Sequence, residues 1–163
     1  MALQPAITDL EQLKSRPAVA ALQRASLVES AKLDRDELTI YINRTDIKQA
    51  CENLRSSPET DFNFLSDVTC FDVFPSEPRF EVIYHLLSHS RKDRVRLIAR
   101  VPGGDPSVES LMGLWPSSNF FEREVFDLFG VRFIGHPNLR RIMMPEDWEG
   151  HPLRKDYPVE GYR

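Results

Sequence analysis

The side chains best suited to chemistry in this sequence are two histidines in its last third, His136 and His151, and the carboxylates near them. Imidazole and carboxylate groups bind zinc and iron, so His136, His151 and Glu122 are candidate ligands for the metal centre of a hydrolase. Neither histidine lies in an HxxxH or HExxH arrangement, in which one helix positions two ligands. Each instead lies in a Gly-His-Pro turn, at 135–137 and 150–152, where the imidazole can remain in solvent. We therefore expect no metal site and keep a free-standing metal-dependent hydrolase as an alternative.

Other patterns that carry catalysis or hold cofactors are missing from the sequence. Gly103, Gly104 and Asp105 precede a predicted helix, whose first amides could bind phosphate, but neither GxGxxG nor GxxxxGK[ST] occurs. No GxSxG motif is present, and no serine or cysteine has a recognisable base. Cys51 and Cys70 are isolated, as in reduced cytosolic proteins. We expect no catalytic residue and no cofactor-binding site in this chain.

The composition excludes several classes of partner. The chain has 163 residues, of which 41% are hydrophobic and 28% charged, values typical of one soluble domain with a hydrophobic core. A net charge of -4 argues against a nucleic-acid-binding surface, because such surfaces are usually basic. There is no apolar run of about 18 residues and no charged-then-apolar leader. We expect a chain that is neither inserted into a membrane nor exported.

The elements that position these side chains can be predicted from capping and periodicity. Thr8 and Glu11 have the spacing of a capping box, which predicts a helix start, and Pro17 either ends this helix or opens a second turn. Alternation from Leu38 onwards predicts a strand. Thr45 then predicts the cap of a helix with a buried stripe made of Ile47, Ala50, Cys51 and Leu54.

Three runs rich in strand-forming residues follow, at 64–74, 80–87 and 95–101. Their short connections predict a meander of sequential antiparallel strands. Asp105 and Pro106 predict the cap and first residue of a further helix, whose buried stripe would be Val108, Leu111, Met112 and Trp115. The predicted fold class is α+β: a mostly antiparallel sheet with helices packed on one face, plus an extended C-terminal arm.

The segment at 120–133, FFEREVFDLFGVRF, combines five phenylalanines with five charged residues. With Asn119 as cap, Glu122 occupies the third helical position of a capping box, and Gly130 falls where a left-handed residue ends a helix. At 100° per residue the apolar side chains form one arc, made of Phe121, Val125, Leu128 and Phe129. We therefore predict a helix of about three turns that packs on the core.

The charges of this helix need separate explanations. Arg123 and Asp127 lie opposite the apolar arc as an i, i+4 pair, where water would solvate them. Glu122 lies at the edge of the arc, where an unpaired charge costs several kcal/mol. Glu122 can complete the helix cap, or it can pair with Arg140 or Arg141 of the following segment.

Residues 135–163 have neither helical nor strand periodicity, yet they keep large apolar side chains that a disordered tail would lack. Basic pairs at 140–141 and 154–155 alternate with acidic residues around Trp148, the composition of a protein interface. We predict two parts, an α+β core domain at 1–134 and an extended docking arm at 135–163. The alternative is an arm that wraps back onto its own sheet.

Four runs carry a resemblance to a known family: EREVFDLFGV at 122–131, GHP at 135–137, LRRI at 139–142 and PLRKDYP at 152–158. Together they closely resemble the signature of the C subunit of the respiratory NADH-quinone oxidoreductase (complex I, NDH-1). A weaker resemblance extends over 64–69 and 80–86.

The resemblance implies a non-catalytic structural subunit of the peripheral arm of a proton-translocating NADH:quinone oxidoreductase. FMN and the iron–sulfur clusters that carry electrons from NADH to quinone would then lie in partner subunits, since two cysteines cannot hold a typical cluster. The implied partners are the large quinone-site subunit (lettered D in this complex) and the iron–sulfur subunits (lettered B and I). Membrane association would come only through the complex, on the cytoplasmic side of the cell inner membrane. The equivalent subunit of the cyanobacterial and chloroplast ferredoxin-plastoquinone complex is an alternative.

The residues expected to build the subunit interface and to anchor the arm lie on the last helix and in the arm. They are Glu122, Arg123, Glu124, Asp127, Gly130, His136, Pro137, Arg140, Arg141, Trp148, Arg154, Lys155, Asp156, Tyr157 and Pro158.

Overall fold

The computed structural model describes residues 5–161. The first four residues of the predicted core domain and the last two of the predicted arm lie outside the described residues. The helices are α1 (Leu10–Leu13), α2 (Pro17–Arg24), α3 (Ile47–Ser56) and α4 (Ser118–Phe129). The strands are β1 (Ser30–Asp34), β2 (Glu37–Asn43), β3 (Phe64–Asp72), β4 (Phe80–Ser88), β5 (Asp93–Val101), β6 (Ser107–Glu109) and β7 (Arg132–Ile134).

The main sheet has five strands in the order β1-β2-β5-β4-β3. The predicted meander is confirmed, because β3 pairs with β4 and β4 with β5, both antiparallel. Strand β1, which the sequence did not predict, forms a hairpin with β2, and β2 joins the meander as a parallel neighbour of β5. The predicted α+β class with a mostly antiparallel sheet is confirmed, with one parallel pairing in a mixed sheet.

The core lies on one face of this sheet. Alternate residues of β2, namely Leu38, Ile40 and Ile42, are buried together with the matching residues of β4 and β5. The helices cover this face, and the predicted stripe of α3, including Cys51, is fully buried. The opposite sheet face carries side chains such as Tyr41 and Arg100, whose guanidinium lies 4.4 Å from the tyrosine ring centre. The helices therefore cover one face of the sheet, and the side chains of the other face point away from the core.

Helices α1 and α3 have N-caps other than the predicted ones. Asp9, not Thr8, caps α1, because its carboxylate accepts the N–H of Glu11 at 2.9 Å. Pro17 opens α2 at its first position, as one of the two predicted options. Asp46 rather than Thr45 precedes α3, and the Thr45 hydroxyl is bonded to the side chain of Asn43.

The predicted helix after Asp105 is wrong. Residues 107–109 instead form β6, which pairs in parallel with β7. Its predicted buried stripe is largely right, since Val108, Leu111 and Trp115 are buried. No helix forms here because the backbone of 107–109 pairs with β7, which lies more than 20 residues later in the sequence. Tertiary strand pairing thus outweighs the local capping signal.

Helix α4 packs against β3 and ends at Gly130, whose φ of 75° confirms the predicted left-handed termination. Its N-cap is Ser117, so the helix begins before the predicted cap Asn119. After β7, residues 135–161 form turns and irregular structure with no further helix or strand. In the described part of the chain, the helices are too short or too polar to cross a lipid bilayer.

Candidate functional site

Asp127 of α4 lies at the centre of the contacts between the core and residues 135–161, which we call the arm. Its side chain is completely buried. One carboxylate oxygen accepts three consecutive arm amides, those of Ile142 at 2.9 Å, Met143 at 2.8 Å and Met144 at 2.9 Å. The other oxygen accepts the Arg141 guanidinium at 2.5 Å. A single carboxylate thus fixes four consecutive residues of the arm.

The electrostatics of Asp127 favour its charged form. Burial alone would raise the pKa of this carboxyl, but the amide of Met144, the Arg141 guanidinium and the other two amides outweigh burial and lower the pKa. The expectation that Asp127 pairs with Arg123 in water is therefore wrong. Arg123 instead donates to the carbonyls of Arg140 at 3.2 Å and Arg141 at 3.0 Å, so both charges of the pair hold the arm.

Arg141 extends this anchor further along the arm. Besides pairing with Asp127, its guanidinium donates to the carbonyls of Trp148 at 2.8 Å and Gly150 at 2.9 Å. The planar guanidinium can serve several acceptors at once because its five N–H groups point in fixed directions. The turn that carries Trp148 is thereby tied to α4.

Glu122, one helical turn before Val125, has a different role from either prediction. Its buried carboxylate accepts the Ser110 hydroxyl at 2.6 Å and the Leu111 amide at 2.7 Å. It therefore neither completes a capping box nor pairs with an arginine of the arm. Burial raises the pKa of Glu122 because these neutral donors compensate the lost hydration only in part. Glu122 fixes the segment after β6 against α4.

The C-terminal end of α4 contacts the second half of the arm. The His151 ring lies against the Asp127 carbonyl, with Nδ1 at 2.9 Å, and burial lowers the pKa of this histidine. Arg154 donates to the Phe129 carbonyl at 2.6 Å and lies over the Phe80 ring. Both side chains approach Gly130 so closely that a Cβ at that position would collide with them. A glycine is therefore required here by space as well as by its φ.

Arg79, the residue immediately before β4, links the arm to the sheet. Its guanidinium binds Asp72 through two bonds, of 3.0 and 2.7 Å, and Asp156 of the arm through two more, of 2.9 and 2.6 Å. The Lys155 amide also donates to Asp72, at 2.9 Å. Burial alone would raise the pKa of Asp72, but Arg79 and the amides of Lys155 and Phe74 lower it to about 2.

Sequence reasoning placed Asp156 in the expected set but missed both Asp72 and Arg79. The sequence did contain a signal for this pair. The runs at 64–74 and 80–87 were predicted to form a hairpin, and a hairpin brings the end of β3 beside the start of β4. A carboxylate and a guanidinium at such facing ends are a candidate pair. Nothing in the sequence indicated that the arm would join them.

The remaining expected residues lie on the arm or beside it. The His136 ring is half-buried and accepts the Asn138 amide at 3.0 Å, while the Tyr157 hydroxyl donates to the Glu149 carbonyl at 3.4 Å. The others lie at least partly at the surface: Glu124, Pro137, Arg140, Trp148, Lys155 and Pro158. The Arg140 guanidinium makes no hydrogen bond or ion pair with residues 5–161.

The arm leaves large apolar side chains uncovered even though its backbone is anchored. Their exposed fractions are Ile142 37%, Met143 62%, Trp148 39%, Leu153 51% and Val159 104%. The arm therefore folds back onto the core through polar contacts, as the alternative interpretation held, and retains an apolar outer surface. An apolar surface of this kind is typical of a contact site.

The candidate metal ligands do not form a metal centre in the described chain. His136, His151 and Glu122 each bind different protein groups, and residues 5–161 contain no cluster of three His, Cys, Asp or Glu side chains suited to a metal ion. Both cysteines are free and buried, and burial raises the pKa of each thiol far above its usual value. These thiols lack the features of reactive or ligating cysteines.

Comparison with known proteins gives consistent results. The family described as "Respiratory-chain NADH dehydrogenase, 30 Kd subunit" matches residues 40–163. The NADH-quinone oxidoreductase C subunit of Roseiflexus sp. (strain RS-1) is 49% identical over 159 residues, which cover 98% of this chain and 87% of that protein. The corresponding C subunit of Geotalea uraniireducens (strain Rf4) is 44% identical over 137 residues, covering 84% and 82% of the two chains.

Solved structures share the fold. A trypsin-resistant fragment of Nqo5 superposes with a TM-score of 0.65 at 29% identity, covering 80% of this chain and 98% of the fragment. A chain of the membrane-bound sulfane sulfur reductase, an archaeal respiratory membrane complex, superposes with a TM-score of 0.73 at 23% identity over 91% of this chain and 85% of that one. The second likeness concerns the fold alone. The matched residues include α4, the arm and the Asp72–Arg79 pair, and on this evidence the chain belongs to the family of the respiratory-chain NADH dehydrogenase 30 Kd subunit.

Proposed function

We propose that this chain is a structural, non-catalytic subunit of the peripheral arm of a proton-translocating NADH:quinone oxidoreductase. Its arm docks onto the large quinone-site subunit and the iron–sulfur subunits. FMN and the iron–sulfur clusters lie in partner subunits, and electrons pass through them from NADH to quinone. The chain joins the membrane only through the complex, on the cytoplasmic side of the cell inner membrane.

The observation that carries this proposal is the combination of anchoring and exposure in the arm. A buried carboxylate, Asp127, and three guanidinium groups tie the arm to α4, while Met143 and Leu153 remain more than half exposed. Polar anchors of this kind order a segment without covering its apolar side chains. A rigid apolar surface suits docking, because less conformational entropy is lost when a partner binds.

The chemical role of the chain follows from its residues. The ionisable groups at the centre of the anchor, Asp127, Arg141 and His151, already bind the protein itself, so they fix geometry instead of reacting. Partner subunits held in register by such a surface keep redox centres at fixed separations. The chain thus influences the rate of electron transfer by fixing the positions of the partner subunits that hold the redox centres.

The test replaces exposed apolar side chains of the arm with polar ones of similar size. In the variant Met143→Gln/Leu153→Gln, the free energy of unfolding of the purified chain should stay within about 0.5 kcal/mol of the parent, because surface substitutions rarely cost more. Interface anchors contribute more than about 1 kcal/mol each, so association with the quinone-site subunit should weaken at least about tenfold. NADH:quinone activity of the membranes should fall with the amount of assembled complex.

The matched control is Phe71→Gln, since Phe71 is exposed to 61% and lies on β3, outside the arm. It should leave assembly and activity unchanged. Arg140→Ala gives an independent test of the arm, because the Arg140 guanidinium has no partner within residues 5–161. Native gels with full-size, fully active complex for both arm variants would refute the docking role.

The two alternatives have less support. The relatives described above are named as C subunits of NADH-quinone oxidoreductase, which favours an NADH-linked complex over a ferredoxin-linked one. A metal-dependent hydrolase lacks a supporting observation, because His136, His151 and Glu122 do not converge. Affinity purification from membranes, with partners identified by mass, separates all three.

A further inference from the structure

The turn of the arm that carries Trp148 is fixed through its backbone. The Trp148 amide donates to the Pro145 carbonyl at 3.1 Å and closes the turn. Arg141, which is itself bound to Asp127, donates to the Trp148 carbonyl at 2.8 Å. All the residues of the turn, 145–149, are nevertheless exposed. The turn thus holds its side chains in place without burying them.

The two tryptophans of the chain have different surroundings. Trp115 is buried, its Nε1–H donates to the Asn63 carbonyl at 3.1 Å, and the Arg55 guanidinium lies 5.7 Å from its ring centre. Trp148 is exposed to 39%, and within residues 5–161 neither an acceptor for its Nε1–H nor a guanidinium over its ring is present. The face of an indole attracts cations, most often the guanidinium of arginine. Both the ring face and the N–H of Trp148 are therefore available to another molecule.

The carboxylates of the turn flank this indole. They belong to Glu146, Asp147 and Glu149, and none makes a hydrogen bond or an ion pair with the described residues 5–161. They do not form a metal site, because this part of the chain contains no cluster of three His, Cys, Asp or Glu side chains suited to a metal ion. The guanidinium bonded to the turn, that of Arg141, is already paired with Asp127. The three carboxylates can therefore pair with cationic side chains of another polypeptide.

Charge limits the kind of partner that fits the turn. An anionic lipid surface or a nucleic acid would be repelled by the carboxylates. A second copy of this chain is disfavoured because each copy has a net charge of -4. Arg140 and Lys155 of the same arm have no ion pair in the described chain and do not pair with the turn. A basic patch on a different polypeptide complements the turn best.

We propose that the Trp148 turn determines the specificity of the docking surface by receiving an arginine-bearing patch of a partner subunit. A partner guanidinium lies over the indole and pairs with the flanking carboxylates. Arginine is favoured over lysine because its planar guanidinium both stacks on aromatic rings and binds carboxylates through two N–H groups. Met143, fixed through its amide by Asp127, adds exposed apolar surface to the same contact. This inference rests on the proposed function and names the chemistry of the partner surface.

Photo-cross-linking in the assembled complex identifies what lies at the turn. The photoreactive residue p-benzoylphenylalanine replaces Asp147, which leaves Trp148 in place. We expect mass spectrometry to find it joined to another subunit beside an arginine. Placement at Phe71, exposed on β3 and outside the arm, is the control and should not give this link. Links only within this chain, links to a stretch without a nearby arginine, or no link at all would overturn the proposal.

Substitutions of Trp148 separate the attraction of ring and cation from simple burial. The fold should persist, because Arg141 binds the backbone carbonyl of this residue. Trp148→Leu stays apolar but loses the ring, so association with the captured subunit should weaken at least about tenfold. Trp148→Phe keeps a weaker ring face and should lose less. Replacing the captured arginine with alanine should cost little more in the Trp148→Leu background, and fully additive losses would contradict a direct pair.

Neutralising the carboxylates tests their part in the contact. Glu146→Gln/Glu149→Gln should slow association at low ionic strength at least severalfold and reduce its dependence on salt. Glu29→Gln/Glu52→Gln is the matched control, since both residues are exposed, lie outside the arm and give the same change of net charge. Equal association rates and equal salt dependence of the two variants would refute the role of the carboxylates.

The outcomes for this turn can be told apart from those for the proposed function. Loss of assembly in Met143→Gln/Leu153→Gln, with normal association of the Trp148 and glutamate variants, would refute only the arginine site. Normal assembly of all these variants would refute the proposed function as well. Loss in both sets, with an arginine captured at the turn, is the expected result.

Discussion

At the residue scale, the two buried carboxylates of α4 both lose hydration on burial, but their pKa values shift in opposite directions. Asp127 receives an arginine and three amides, and its pKa is lowered, whereas Glu122 receives one hydroxyl and one amide, and its pKa is raised. The charged form of a buried carboxylate is stabilised only when enough hydrogen-bond donors replace the water that it loses. Asp127 therefore stabilises the fold in its charged form, and Glu122 favours the fold in its protonated form.

We predict that Asp127→Asn destabilises the protein by about 3 kcal/mol, because it leaves Arg141 without its carboxylate and turns an NH₂ group towards donor groups of the arm. Urea unfolding measures the loss, and limited proteolysis should show earlier cleavage at 140–150. Glu124→Gln on the same helix is the control and should change stability by less than about 0.5 kcal/mol. Equal stability of the two variants would contradict the anchoring role of Asp127.

Glu122→Gln should alter the pH dependence of stability. A raised folded-state pKa means that the folded protein holds the Glu122 proton more tightly than the unfolded chain, so wild-type stability falls as pH rises through the ordinary pKa of 4.5 to the folded value. Glutamine carries no charge and can keep the Leu111 bond, so this loss should be absent in the variant. Denaturation curves at a series of pH values from the acidic to the neutral range should show the variant gaining on the wild type with rising pH. Parallel curves would contradict this assignment.

At the element scale, local patterns predicted those elements whose contacts are local. The buried stripe of α3 and the alternation of β2 were visible because each period repeats within one element. The segment after Asp105 was wrongly predicted because β7 takes its backbone bonds from far along the chain. Asp127 was placed in the expected interface and anchoring set, but its actual partners were missed for the same reason, since they lie 14–17 residues away in a segment without periodicity.

The end of α4 provides a prediction about an element boundary. Gly130→Ala should destabilise the protein by more than about 1 kcal/mol, because a left-handed residue with a Cβ costs about 1–2 kcal/mol and this Cβ would also displace Arg154 and His151. Gly113→Ala is the matched control, since a Cβ there meets no atom within 4 Å and its φ is not left-handed. Thermal unfolding compares the two. A similar small change in both would show that the arm does not pack against the helix end as described.

At the scale of the whole molecule, the arm connects helix α4 to the main sheet. Asp127 attaches its first part to α4, and Arg79 attaches its last part to the sheet through Asp156. Whether 135–163 acts as a separate docking part remains a prediction, although its backbone is bound to the core at both places. The two anchors can be tested separately because they use different residues of the core.

Asp156→Asn should release the last part of the arm and leave the core intact. The Asp72–Arg79 pair persists in this variant, and Asp156 is about half exposed, so global stability should fall by less than about 1 kcal/mol. Local protection should fall more, because the neutral amide cannot hold both guanidinium nitrogens as the carboxylate does. Trypsin should therefore cleave after Arg154 and Lys155 several times faster than in the wild type. Asp147→Asn, an exposed arm position without a hydrogen-bond partner in the described chain, is the control, and equal cleavage rates in the two variants would show that Asp156 does not hold the arm.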